Sequence, residues 1–399
     1  MTAPRDVFTP GRLGGLALRN RVIKTATFEG MCPAGEVSEP LIEHHRSMAA
    51  GGVAMTTVAY CSVSADGRTY GHQMYMRPEI QPGLRRLTDA VHAEGAMAAL
   101  QLGHCGNFAS KKVIGKKPLA PSRVFNLYGL TYPRPMTPDD MARVADDFAR
   151  ATALARDAGF DAVELHYGHG YLLSQFLSPF TNRRRDDYGG SLDNRLRFPL
   201  QVLRRVREEV GADYPVLVKM NLQDGFRRGL QLSESVVVAQ RLEETGATAL
   251  VLSGGFVSKT PLYMMRGNVP TRDMVRVQQG WFRKVGLTLF GRIFVQRFPF
   301  EELFFLPESQ AVRKAVDLPL VLIGGILSRP GLQRAMDEGF DFVAVGRALI
   351  HDADFLHKLQ RGELDRSGCD QCNRCIAEMD AGGVRCPCAD EEAARAPTV

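Results

Sequence analysis

Residues 162–177 read AVELHYGHGYLLSQFL: a short apolar run, then His166, His169 and Tyr171 close together, then a second apolar segment. A run so short and so apolar suits a strand of a parallel sheet that is covered on both faces. The same form recurs at residues 22–27, 53–58, 97–102, 216–220, 249–252, 320–323 and 342–345, so with 162–165 there are eight strand candidates. Amphipathic segments of helical length separate them. The clearest opens at Thr137-Pro138-Asp139-Asp140, where a capping hydroxyl, a proline at the first helical position and acids in the first turn coincide. Its apolar stripe continues through Val144, Phe148 and Ala155. Eight such units predict an α/β chain folded as a (β/α)8 TIM barrel, with polar residues at the strand ends facing a common mouth.

The 399 residues, 45% hydrophobic and 24% charged, suit one large barrel with insertions. A chain this long needs neither disulfides nor a metal in order to fold. The net charge of +6 comes from basic residues mixed with acids, which argues against nucleic acid as a partner. The opening MTAPRDVFTPGRLGG has no apolar core of the signal-sequence kind. Residues 286–306 are rich in Leu and Phe, but Arg292, Arg297, Glu301 and Glu302 interrupt them, so no membrane span is expected. A cytoplasmic protein follows. Five of the eight cysteines lie between Cys369 and Cys388, which points to a local site rather than a disulfide framework.

The expected organisation is a barrel over residues 1–362 and a Cys-rich extension over 363–399 whose Ala- and Glu-rich end is disordered. Two long connections follow strand ends. Residues 103–136 carry Lys111, Lys112, Lys116 and Lys117, and residues 254–319, after the sixth strand, contain the only tryptophan, Trp281. The second is read as a lid over the mouth.

His166 and His169, three apart on a loop entering the mouth, can aim ring nitrogens at one oxygen atom and polarise a carbonyl. Tyr171 offers a hydroxyl able to protonate a carbanion-like centre. A structural histidine pair or a zinc site are the competing readings, the latter without a third ligand nearby in sequence. Lys219 ends an apolar run, an odd place for a surface lysine and a good one for a functional cation. Gly324-Gly325 follow the seventh strand and Gly346-Arg347 the eighth. Glycines there let backbone N–H groups approach a phosphate, to which Arg347 adds a forked cation.

Residues 166–198, HYGHGYLLSQFLSPFTNRRRDDYGGSLDNRLRF, resemble the signature of the old yellow enzyme family of NAD(P)H:flavin oxidoreductases, and the likeness runs in order from about Phe8 to Leu359. The resemblance implies an FMN cofactor. Thr25 and Ala26 would lie along the flavin, with Tyr60 nearby. Gln101 would face the flavin pyrimidine edge with an amide that both donates and accepts. Lys219 would face flavin N1 and O2, where relatives often carry arginine. Phe28 stands where relatives often have Thr or Cys, which puts family-based redox tuning in doubt. Cys32, close in sequence, is not given that role.

The spacing Cys369-x2-Cys372-x2-Cys375-x10-Cys386 is tight enough for four thiolates to reach one metal centre, with Cys388 to spare. It resembles the cluster segment in the larger branch of the family, that of dienoyl-CoA reductases and trimethylamine dehydrogenase, which implies a [4Fe–4S] cluster. Zinc or an unmetallated remnant stay open. The expected activity is reduction of a small electron-poor alkene. NAD(P)H is the reductant, hydride passes from flavin N5, His166 and His169 hold the activating group, and Tyr171 gives the proton. The alternatives are an amine or demethylating dehydrogenase and an electron-carrying flavoprotein without catalysis of its own. A homo-oligomer stays open.

Overall fold

The computed structural model describes residues 5–126, 129–278, 280–281, 284–285, 287–288 and 295–395. A short antiparallel hairpin, β1 (Gly11–Leu13) with β2 (Leu16–Leu18), precedes the barrel. The barrel strands are β3 (Val22–Lys24), β4 (Met55–Ser62), β5 (Met97–Gly103), β8 (Ala162–Tyr167), β9 (Val216–Asn221), β10 (Ala249–Ser253), β11 (Leu320–Ile323) and β12 (Phe342–Val345). They pair in parallel in the closed order β10-β11-β12-β3-β4-β5-β8-β9. The remaining two strands, β6 (Leu119–Ala120) and β7 (Arg134–Pro135), form a small separate sheet in the connection after β5. All eight expected strands are therefore present, with ends shifted by a few residues.

Alternation along each strand sorts side chains between two cores. Val163, Leu165, Val216, Val218, Leu100 and Leu102 point outward and pack under the surrounding helices. Ile23, Met55, Ala99, Ala162, Leu217, Val251, Val321, Phe342 and Ala344 point inward, and Leu13, Leu16 and Leu18 of the hairpin join them to plug the barrel floor. Continuing that inward phase toward the mouth replaces apolar residues with polar ones: Thr25, Gln101, Glu164, Lys219 and Ser253, all buried. The interior is thus oil at the floor and polar at the top.

The helix Pro138–Asp157 begins as its sequence predicts, with a reciprocal capping box between Thr137 and Asp140. Two other expectations need correction. Residues 306–313 are not part of an insertion. The helix Leu306–Arg313 buries Leu306 and Val312 and packs against the helix Leu232–Glu244, as the regular barrel helix after β10. Where a disordered end is expected, Pro387–Arg395 form a helix, and residues 396–399 lie outside the described residues. Ion pairs from Arg385 to Asp390 (2.6 Å) and from Arg374 to Glu391 (2.8 Å) tie that helix down, and alanine favours it. No helix among the described residues is long and apolar enough to cross a membrane.

Candidate active site

The polar layer at the barrel mouth is one hydrogen-bonded set. Lys219 Nζ lies 2.9 Å from Glu164 Oε1 and donates to Thr25 Oγ1 at 3.2 Å. Gln101 Nε2 donates to the same Glu164 oxygen at 2.7 Å. Strand register explains the meeting: Gln101 is opposite Glu164 across β5 and β8, and His166 is opposite Lys219 across β8 and β9. Lys219 is no surface lysine, since its side chain is 1% exposed. The sequence reading gives Glu164 no role, although alternation with the outward Val163 and Leu165 places it inside the barrel.

Above this layer stand the histidines. His166 closes β8, and its Nδ1 accepts from the Gly168 N–H at 3.3 Å. The neutral ring therefore carries its proton on Nε2, which is left as a donor. Burial, followed by the charges of His169 and Lys219, holds its pKa well below the usual histidine range. His169 sits in the left-handed region with φ 60°. Its N–H donates to Asn221 Oδ1 (2.9 Å), its carbonyl accepts from Val257 N–H (3.0 Å), and its Nε2 shares a 2.7 Å hydrogen bond with Ser253 Oγ. Burial and Lys219 lower its pKa to about 3. The two rings stand edge to face with centroids 4.9 Å apart. Asn221 is fixed in turn by Asp224, whose carboxylate accepts from Asn221, Ser178 and the Leu230 N–H. Sequence reasoning missed Asn221, Asp224 and Ser253, whose partners lie on other strands.

Tyr171 follows as the cap of the helix Leu172–Leu177, with its ring 4.7 Å from His166 and 5.2 Å from Tyr60. Gly170 between them is obligatory: it has φ 81°, and a Cβ there would lie 2.6 Å from the Phe256 ring. Tyr60 Oη lies 2.9 Å from Cys105 Sγ, and burial together with Cys105 and Tyr171 pushes its phenol well above the usual tyrosine range. Phe28 joins the same wall, with its ring 5.7 Å from Tyr60, 5.4 Å from Tyr70 and 5.9 Å from His72. Ala26, Phe28 and Tyr171 pack on one apolar cluster with Tyr60, Cys105, Phe108 and Phe256. Cys32 belongs to the outer core instead, away from the mouth.

At the ends of β11 and β12, the N–H groups of Gly325, Gly346 and Arg347 have no protein acceptor among the described residues. Thr27 Oγ1, beside Gly346, is likewise buried without a partner. Arg347 does not present a free fork, because its Nη1 donates to Arg266 O (2.9 Å) and to Asn373 Oδ1 (2.6 Å). Asn373 belongs to the cysteine segment, whose thiols gather around that guanidinium. Cys369, Cys375 and Cys372 lie close enough to influence its charge. Cys386 Sγ lies 3.5 Å from His351 Nδ1, whereas Cys388 Sγ lies 3.6 Å from Cys372 Sγ. The ligand-bearing atoms that converge within 4.8 Å among the described residues are those of Asp370, Cys372 and Cys388, not the four thiols picked out by spacing. Trp281 is 65% exposed.

A family model described as "NADH:flavin oxidoreductase / NADH oxidase family" matches residues 6–278. The chain is 44% identical over 387 residues to a 4,4'-dithiodibutanoate disulfide reductase of Rhodococcus erythropolis, covering 96% of each protein. It is 31% identical to an NADH oxidase of Thermoanaerobacter brockii over 97% of its own length but only 56% of that protein's. The solved structure of an old yellow enzyme homologue from Zymomonas mobilis superposes with a TM-score of 0.73 at 21% identity, covering 96% of this chain and 98% of that one. The donor set fits FMN, the flavin of this family. Gln101, Lys219 and Thr25 form a polar edge at the barrel mouth, and three unpaired N–H groups on consecutive strand ends suit its phosphate. The chain belongs to the NADH:flavin oxidoreductase / NADH oxidase family, the old yellow enzyme family of flavin oxidoreductases.

Proposed function

We propose that the protein takes reducing equivalents from NAD(P)H and reduces a small electron-poor acceptor, in the first instance an activated alkene, at the barrel mouth. FMN, when bound, supplies the hydride chemistry in both directions of this exchange. The observation that carries the reading is that the His166 ring lies 4.9 Å from that of His169 and 4.7 Å from that of Tyr171, with both imidazoles held neutral. The Nε2–H of His166 is available to an acceptor's carbonyl or nitro oxygen. His169 shares the same space once its hydrogen bond to Ser253 is exchanged for one to the acceptor. His166, oriented by the Gly168 N–H, and the His169 backbone, held by Asn221, need little reorganisation as negative charge grows on that oxygen. Tyr171 delivers a proton to the α-carbon. Lys219, balanced by Glu164, supplies positive charge at the polar edge where Gln101 also binds. Residues 369–388 are proposed as the seat of a metal centre, a [4Fe–4S] cluster or zinc, with Cys388 in the ligand set.

A second acceptor is favoured by the 44% identity, over nearly full length, to a disulfide reductase. A disulfide bound between the histidines and Tyr171 would accept a hydride at one sulfur, break its S–S bond and release one thiol and one thiolate. Tyr171 would then protonate the departing thiolate. The test is a pair of half-reactions on Tyr171→Phe, followed by rapid mixing. Oxidation of the reduced enzyme by an enone, and by a disulfide, should slow by about a hundredfold or more. Reduction by NAD(P)H should stay within about threefold of wild type. Equal slowing of both half-reactions would remove Tyr171 from this role. Turnover of the disulfide but not of the enone would settle the choice of acceptor for the second reading.

A further inference from the structure

Beyond Tyr171 the mouth opens onto a rim built from the ends of three consecutive strands. Phe256, two residues after Gly254, bridges His169 in strand-like pairing and packs its ring on Gly170. Phe180, after β8, and Phe226, after β9, meet Phe256 and each other edge to face, with centroids 6.0, 5.8 and 5.3 Å apart. This aromatic triad continues the apolar wall of Tyr171 outward.

Cations stand on it. Lys259 Nζ lies 5.0 Å above the Phe180 ring, and the Arg183 guanidinium lies 6.0 Å from the same ring, held there by a hydrogen bond from its Nε to Phe180 O. Arg227 and Arg228 follow Phe226 directly and are exposed. The turn carrying Lys259 is rigid: Lys259 N–H donates to Phe256 O at 2.9 Å, and Thr260 Oγ1 donates to Asp224 O at 2.8 Å. None of these four cations has a carboxylate partner among the described residues, whereas their neighbour Arg184 is paired with Asp186. Four uncompensated positive charges around an apolar throat form a potential that attracts anions and concentrates them there.

We propose that Arg183 and Lys259, with Arg227 and Arg228 beside them, form a cationic collar that selects acceptors bearing a carboxylate at the end remote from the reacting atoms. The collar rests on the reading of the mouth as the acceptor site and names the class of acceptor: a short apolar chain, reducible at its middle, with an acidic terminus. The aromatic triad takes the chain and the cations take the terminus.

The test is calorimetric titration of the FMN-loaded enzyme with 4,4'-dithiodibutanoate and with its dimethyl ester, for wild type and for the double variant Arg183→Gln with Lys259→Gln. The double variant should weaken diacid binding by about tenfold and ester binding by less than about twofold, as expected for losing two charges across a partly solvated gap. Raising salt from about 0.05 to about 0.5 M should weaken diacid binding to wild type in the same direction, a measurement that does not depend on the variant folding. Equal effects on diacid and ester, or none on the diacid, would overturn the collar. Loss of NADPH binding with diacid binding intact would assign the charges to the reductant's phosphate and overturn it as well. Charge-dependent binding without turnover of any acceptor would leave the collar standing and defeat the reduction reading instead.

Discussion

Lys219 and Glu164 meet 2.9 Å apart in the interior of a barrel, and Gln101 shares Glu164 with Lys219. Removing one partner of a buried pair typically costs about 3–5 kcal/mol, so the layer is fixed before any cofactor arrives. Lys219, Gln101 and His166 were legible in the sequence because each ends an apolar run, where strand alternation alone decides which way it points. Asn221, Asp224 and Ser253 were not legible. Their work is done on His169, 52 and 84 residues away for Asn221 and Ser253, and only barrel closure brings them together. The histidines carry the prediction at this scale. Burial lowers both pKa values, to about 3 for His169, which stays neutral from about pH 5 upward, and well below the usual histidine range for His166, which is neutral at pH 7. The unfolded chain takes up protons near pH 6.5 that the folded chain refuses, so any stability loss from these rings sets in as pH falls below that value. Acceptor KM, measured in the oxidative half-reaction, should therefore stay flat between about pH 5 and 8. A titration with midpoint near 6.5, abolished in His169→Gln, would contradict the neutral pair.

Among the elements, the helix Pro138–Asp157 was readable to its first residue because its cap is local, a hydroxyl and a carboxylate three apart. The cysteine segment was readable in composition and not in placement. Spacing can say that thiols are close along the chain, but not that Asn373 bonds to the barrel and the insertion at once. Its Nδ2 donates to Met265 O (2.8 Å) and Asn268 O (2.9 Å), and its Oδ1 accepts from Arg347. Each such hydrogen bond contributes on the order of 1 kcal/mol, and Asn also tolerates the left-handed backbone at φ 61° found here. Asn373→Ala should release the segment locally. Tryptic cleavage after Arg374 or Arg385 should then accelerate by about thirtyfold, with the thermal midpoint of the barrel shifted by only a few degrees. Unchanged cleavage would mean that the segment is held by something other than this side chain.

Taken whole, the molecule keeps its apolar floor and its polar mouth at opposite ends of one barrel, so the chemistry sits where eight connections can shape it. The family model spans residues 6–278, which include Phe28 and the rim cations, and the cysteine segment beyond it docks on Arg347 through Asn373. Composition could bound the class of molecule but could not show that the connection after β10 is stitched to Gln371, Asn373 and Glu378 of the cysteine segment. The most direct measurement is the visible spectrum of the protein purified without air, then reduced with NAD(P)H, then mixed with an enone or a disulfide. The account predicts flavin bands that bleach with NAD(P)H and return with acceptor, over a broader absorption if the cysteines hold an iron–sulfur cluster. A colourless protein that takes up no added FMN, or flavin bands that NAD(P)H leaves unbleached, would contradict it.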